Sequence, residues 1–166
     1  MTAVGAVTAR PVGDHDGMTD PSFEAYDARV AKGLLAAHER DTGLPGWLGI
    51  RAVDFGPGTM KATVAVRPEL LTPFGNLHGG VLAALCDHVL GTVCYPVIPR
   101  GAWAATTEFK LNYLAPVKGG DLEASATIVA LSKRTAVVRI EVVNDGRTVC
   151  AAQGTVLVVA PQPDGK

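Results

Sequence analysis

The sequence lacks most of what would place it in a specialised class. Aromatic residues make up 5% of its 166 positions, charged residues 19%, and there are three cysteines. Cys86, Cys94 and Cys150 have no metal-ligand spacing, cannot all pair, and lie in apolar runs. They read as reduced, buried thiols of a cytoplasmic protein. Neither sign of charge dominates. The formal net charge is −1, so neither nucleic acid nor a membrane surface is expected as a partner. No basic segment followed by an apolar stretch opens the chain, and no secretory signal is expected. Residues 81–98 form the run most like a membrane span, but Asp87 and His88 sit at its centre and Pro96 interrupts it. A central acid costs roughly 2.5–3.5 kcal/mol on insertion scales, so the span is rejected.

Apolar residues make up 48% of the chain, enough for a substantial core in one domain. Residues 1–19 are rich in Gly, Ala and Thr without a period and read as a disordered tail, within which Met18 is an alternative start. The domain is placed at 20–160 and a loose tail at 161–166. Asp20-Pro21 has the form of a helix opening. Phe23, Tyr26, Val30 and Leu34 then recur at helical spacing up to a stop at Gly43. Period-two alternation predicts strands over 48–54 and 59–67 around Gly56-Pro57-Gly58. Further strands are expected over 104–114, with Thr107, Phe109, Leu111 and Tyr113 alternating against Thr106, Glu108, Lys110 and Asn112, and over 121–131, 135–144 and 147–159. Asp145-Gly146 is a strong hairpin turn. The last four strands read as a meander. The fold class is α+β: an antiparallel sheet wrapped around one long helix, with an extra N-terminal helix. One helix leaves a sheet face and an edge partly open, which points to oligomerisation.

That long helix begins after Asn76-Leu77-His78-Gly79-Gly80. Val81, Leu82, Leu85, Val89 and Leu90 keep a helical period, and Asp87 falls on the stripe of small residues Gly80, Ala84 and Gly91. The glycines at the helix start leave backbone N–H groups for a polarised oxygen. A carboxylate two turns further on gives a plausible hydrolytic pair. Apolar neighbours favour a buried Asp87 over a solvated one, and burial would make it a better base.

These motifs carry a resemblance. Leu48-Gly49-Ile50-Arg51, Gly56-Pro57-Gly58, Leu77-His78-Gly79-Gly80-Val81-Leu82-Ala83 with Asp87 nine residues after His78, and Asn112-Tyr113-Leu114-Ala115-Pro116 resemble hotdog-fold acyl-CoA thioesterases. The branch is the PaaI-like and 4-hydroxybenzoyl-CoA thioesterase group, and the likeness runs over residues 48–159. It implies a homodimer, often paired into a tetramer, with active sites at the dimer interface. It further implies Asp87 as the catalytic carboxylate, Gly79 N–H (with Gly80 beside it) as oxyanion donor, and Thr106 as the hydroxyl that orients water or the acid. Thr72 departs from the pattern, since many members carry Asn or Gln six residues before the motif histidine. Asn76 is a candidate to compensate.

A thioester needs an oxyanion donor and a carboxylate acting as nucleophile or as general base, and Asp87 suits either. His78 either holds the turn through its ring or contacts the thioester. His88 points to another face of the helix and is read as a surface or interface residue. No metal or cofactor is implied. Lys133 and Arg134 are either solvated turn residues or contacts for coenzyme A phosphates, and Arg100 is a weaker candidate of that kind. Phe74, Tyr95 and Trp103 flank the motif and are candidates for lining an acyl pocket. The expected activity is hydrolysis of an acyl-CoA. The alternative is a non-catalytic acyl-CoA-binding module. A hotdog dehydratase would carry motifs not found here.

Overall fold

The computed structural model describes residues 23–39 and 42–161. The expected N-terminal tail, the Asp20-Pro21 opening and most of the C-terminal tail lie outside them. The chain runs α1 (Ala28–His38), α2 (Gly43–Leu48), β1 (Arg51–Gly56), β2 (Thr59–Ala65), α3 (Gly79–Thr92), β3 (Trp103–Tyr113), β4 (Asp121–Leu131), β5 (Thr135–Asn144) and β6 (Arg147–Val159). One 3-10 turn, Pro68–Leu70, links β2 to the approach of α3.

The six strands form one antiparallel sheet in the order β1-β2-β4-β5-β6-β3. The period-two pattern explains its inner face. Met60, Ala62 and Val64 on β2, Leu122, Ala124, Ala126 and Ile128 on β4, and Ala136, Val138, Ile140 and Val142 on β5 are all buried. Helix α3 lies against this face, touching β2, β3, β4, β5 and β6. It buries Val81, Leu82, Leu85, Cys86, Val89 and Leu90. Leu85, Val89 and Leu90 are fully enclosed, where truncation to Ala costs about 2–5 kcal/mol for a Leu.

Four expectations are corrected. First, α1 starts at Ala28, because the Asp27 carboxylate accepts hydrogen bonds from the N–H groups of Arg29 (2.8 Å) and Val30 (3.3 Å). Phe23 and Tyr26 lie before the helix, and the Tyr26 hydroxyl donates to Phe55 O at 3.2 Å. Second, Leu48 ends a helix and does not begin a strand. The α2 turn closes at Gly49 in the left-handed region (φ 76°), and β1 begins two residues later. Third, the last four strands are not a simple meander. β4, β5 and β6 follow one another, but β3 pairs with β6 and stands at the sheet edge. Fourth, β3 carries a bulge between Thr106 and Glu108. The extra residue, Thr107, donates its hydroxyl to Thr155 O at 3.0 Å. It shifts the alternation, so Ala104 and Thr106 fall on the side that Phe109 and Leu111 occupy further along.

Candidate active site

The turn that opens α3 is held from three sides. Leu77 N–H donates to Val117 O (2.7 Å) and His78 N–H to Leu70 O (2.9 Å). The His78 ring is the helix N-cap, with Nδ1 accepting the Gly80 N–H at 2.9 Å. That bond occupies one of the two amides expected to be free. Gly79 N–H has no acceptor among the described residues, and it is the first orphan donor of the helix. The Tyr113 hydroxyl donates to Gly79 O at 3.1 Å.

Both glycines are explained by what a side chain would meet. A Cβ on Gly79 would stand 3.0 Å from the Tyr113 ring, and one on Gly80 would stand 2.9 Å from His78 Nδ1. The sequence motif is therefore a packing solution around one capped turn.

Asp87 lies on the same helix, eight residues after Gly79. At 1.5 Å per residue the two are about 12 Å apart along the axis. The expectation of a buried acid is corrected: within one chain Asp87 is exposed. Apolar neighbours in sequence point to other sides of the helix, and Cys86, Val89 and Leu90 take the buried one. Asp87 and His88 border a small cavity of about 110 Å³ with Leu44, Leu48, Ile50 and Ala84. It shares Leu44, Leu48 and Ala84 with a cleft of about 320 Å³ that reaches Trp47, His78 and Gly80. Helix α2 borders both of these adjoining pockets, which make an open apolar channel along α3.

On the other side of the turn, a cleft of about 420 Å³ is lined by Asn76, Gly79, Leu82, Tyr113 and Leu114. Asn76 Oδ1 is buried with no hydrogen-bond partner among the described residues. Thr72 N–H donates to Asn76 O at 2.7 Å, and Gly75 N–H to Thr72 O at 2.9 Å. These bonds close a short loop with Phe74 at its tip, 90% exposed. Phe74 lines neither cleft.

The remaining candidates fall elsewhere. Lys133 and Arg134 sit in an exposed β4–β5 turn built on the Ser132 hydroxyl, which accepts the N–H groups of Arg134 and Thr135. That turn meets β6 at Val158, whose N–H donates to Arg134 O. It is at the Trp103 end of β3, about 30 Å along the strand from the Tyr113 end, where the His78 turn lies. One chain does not bring these cations to its own His78 turn. Arg100 is engaged with Asp27 at 3.4 Å. Tyr95 packs against the core, and Trp103 is exposed on the edge strand.

The sequence reading missed one pair entirely. His88 Nε2 lies 2.8 Å from Nε2 of His38, a buried residue whose Nδ1 is 2.8 Å from Leu34 O. The edge-to-face rings, 5.0 Å apart, tie α1 to the middle of α3. Both histidines were visible in sequence, but nothing in their spacing signals a contact across fifty positions.

The thioesterase superfamily pattern matches residues 74–151, from the loop before His78 into β6. A Halobacterium salinarum esterase candidate is 30% identical over 138 residues, covering 80% of this chain and 91% of that one. Human acyl-coenzyme A thioesterase 13 is 28% identical over 106 residues, covering 63% of this chain and 75% of its own. The structure of the Escherichia coli PaaI protein, from the phenylacetic acid degradation operon, superposes with a TM-score of 0.72 at 25% identity over 81% of this chain and 96% of that chain. The fold is the hotdog fold, and the chain belongs to the thioesterase superfamily. Within it the protein is a PaaI-like thioester hydrolase. Among the described residues no helix is long and apolar enough to cross a membrane.

Proposed function

We propose that the protein hydrolyses an acyl-CoA thioester to the free acid and coenzyme A, at sites shared between two copies of the chain. The observation that carries this reading is the separation of about 12 Å between Gly79 and Asp87 along one helix. A thioester carbonyl carbon must lie roughly 3 Å from its oxyanion donor and from its nucleophile or base alike. One chain cannot satisfy both, whereas two helices related by a two-fold axis can set Gly79 of one copy against Asp87 of the other. The edge position of β3 supports the arrangement. Its outer edge has no partner strand among the described residues, and Trp103, Tyr113 and Leu114 are each more than half exposed at its ends. The polar outer face of the sheet, with Arg139 and Glu141, is then open for pairing of dimers.

In this site the Gly79 N–H stabilises the charge that develops on the carbonyl oxygen. Asp87 takes one of two routes. As a general base it removes a proton from water, whose oxygen attacks the carbonyl carbon before the thiolate of coenzyme A leaves. As a nucleophile it displaces the thiolate directly to give a mixed anhydride, which water opens. Thr106, on the α3 side of β3, orients the water or the acid in either route. His78 positions the amide by capping the turn. Asn76 offers its buried Oδ1 to a donor on the substrate, and Lys133 and Arg134 offer charge to the coenzyme A phosphates of a site completed by the second copy. The three buried thiols fit a cytoplasmic location.

A second reading, an acyl-CoA-binding module without turnover, draws on Thr72. Its side chain takes no hydrogen bond among those described, and it stands where the family resemblance leads one to expect Asn or Gln. The experiment is thiol release from acetyl-, octanoyl-, palmitoyl-, phenylacetyl- and benzoyl-CoA, with an enzyme-only blank, by the wild type and Asp87→Asn. The variant should lose about 10²–10⁴-fold in kcat. Undiminished hydrolysis by the variant excludes Asp87. Tight binding with no turnover across the panel selects the binding module.

A further inference from the structure

The channel along α3 is bounded by a helix for which the thioesterase chemistry supplies no role. Helix α2 is six residues long, and its N-cap residue Thr42 makes no side-chain capping bond. It is fastened at the other end by one residue of the loop after β2. The Arg67 guanidinium donates to Leu48 O at 3.0 Å and to Trp47 O, lies 5.3 Å from the Trp47 ring centroid, and is 3.7 Å from Glu69. Two backbone acceptors, a ring face and a carboxylate thus converge on one cation. They fix the orientation of Trp47, which with Leu44 remains 60% exposed along the channel.

The channel is chemically one-sided. Between Trp47 and the pair Asp87 and His88, its walls are Leu44, Leu48, Ala84 and neighbouring aliphatic groups. Among the described residues, Glu69 is the charged one on the wider part, and no lysine or arginine lines either part. The nearest cation, Arg67 beside Trp47, is already engaged by Glu69 and two backbone carbonyls, so an acyl chain with a terminal carboxylate would lose its hydration there without gaining a free counter-charge. An uncharged apolar group would exchange water for aliphatic and indole surface.

We propose that α2 is the acyl-recognition element of this enzyme. Leu44 and Trp47 form the specificity wall for an uncharged, apolar acyl group, and Arg67 is the positioning residue that holds the wall over α3. The proposal rests on the assignment of Asp87 to the reacting carbonyl, because the channel matters to substrate choice only if the thioester sits at that end. It places the acyl group beside α2 and away from Phe74 and Trp103.

The chain has two tryptophans, so Trp103→Phe leaves Trp47 as the sole indole reporter. This variant is titrated with non-hydrolysable thioether analogues of phenylacetyl-CoA, octanoyl-CoA and succinyl-CoA, and with coenzyme A itself. Trp47 emission should change saturably with the phenylacetyl and octanoyl analogues. The succinyl analogue should bind roughly tenfold or more weakly, and coenzyme A should leave the emission unchanged. In turnover, Trp47→Ala and Arg67→Met should reduce the ratio of kcat/KM for octanoyl-CoA over acetyl-CoA roughly tenfold, mainly through KM. Arg67→Lys, which keeps one donor to the α2 carbonyls, should recover part of that ratio.

The proposal is overturned if Trp47 emission ignores the analogues, or if the acyl preference is the same in wild type and Trp47→Ala. It is also overturned if Trp47→Ala shifts the oligomeric state on gel filtration, since the wall would then be covered by a second copy. An emission response in a protein that hydrolyses nothing would retain the apolar channel and remove the hydrolytic reading, so the two failures are distinguishable.

Discussion

His78 Nδ1 accepts the Gly80 N–H at 2.9 Å, and this bond decides which amide of the turn is left for a substrate. An N-cap asparagine can make the same kind of bond through its side-chain oxygen. His78→Ala should therefore cost about 1 kcal/mol of stability and lower kcat, whereas His78→Asn should retain most of both. Thermal melts and turnover of the two variants check this. Equal loss of turnover in both would assign the imidazole to the thioester and not to the cap.

The separation of Gly79 from Asp87 makes a prediction about mixed dimers. Gly79→Pro removes the proposed oxyanion donor while keeping a residue suited to the first helical position. Its ring presses on the far end of the Tyr113 side chain, which is exposed and able to move. Asp87→Asn and Gly79→Pro should each be inactive alone. Dissociated and reassociated together, they should recover roughly a quarter of wild-type activity, because half the dimers carry one intact site. No recovery in verified heterodimers would place both groups of each site in one chain.

The three cysteines should be silent in the native protein. Burial pushes the Cys94 thiol up to about 12. Cys86 is raised further, first by its hydrogen bond with Cys150 at 3.9 Å and then by burial. At pH 8 the reactive thiolate is therefore scarce at both positions. The same hydrogen bond lowers Cys150, which is silent because it is fully enclosed. An aromatic disulfide reagent should show no native reaction during an activity assay and three thiols per chain after denaturation. Rapid native labelling would contradict the enclosed positions of Cys86 and Cys94.

Asp27 gives the stability a dependence on acid. Its carboxyl is held below the ordinary value of 3.8, chiefly by the Arg29 N–H bond, with help from Val30 and Arg100. A carboxyl depressed on folding stabilises the fold above its unfolded pKa and loses that contribution as pH falls through the folded value. The melting difference between wild type and Asp27→Ala should thus be flat above about pH 5 and shrink below pH 3.8. Because the pair with Arg100 is largely exposed, added salt should also reduce it. A difference that persists unchanged to pH 2 would remove the charge from the account.

Local chemistry was read directly from the chain where one face of one element carried it. The bounds of β4, β5 and β6 follow from alternation and from Asp145-Gly146, whose positive φ values (50° and 74°) form the hairpin turn that the dipeptide favours. The His-Gly-Gly turn and the small residues after it were equally visible, because an N-cap and the N–H it accepts lie within two positions, but the sequence left open whether His78 holds the turn or contacts the thioester. The start of α1 could have been found too. Asp27 before Ala28-Arg29-Val30 is as good a cap as Asp20-Pro21, and propensity alone does not rank them.

Sequence by itself determined the class of fold, the bounds of the last three strands, a His-Gly-Gly turn at a helix start and an acid two turns along the same helix. All are properties of contiguous residues with a fixed repeat. Tertiary structure decided that β3 lies at the edge beside β6, that His38 meets His88, and that α2 borders the channel beside Asp87 under the hold of Arg67. It also decided that Asp87 is exposed within one chain. Each of these depends on where separate elements dock, and docking is set by the summed burial of faces from distant parts of the chain.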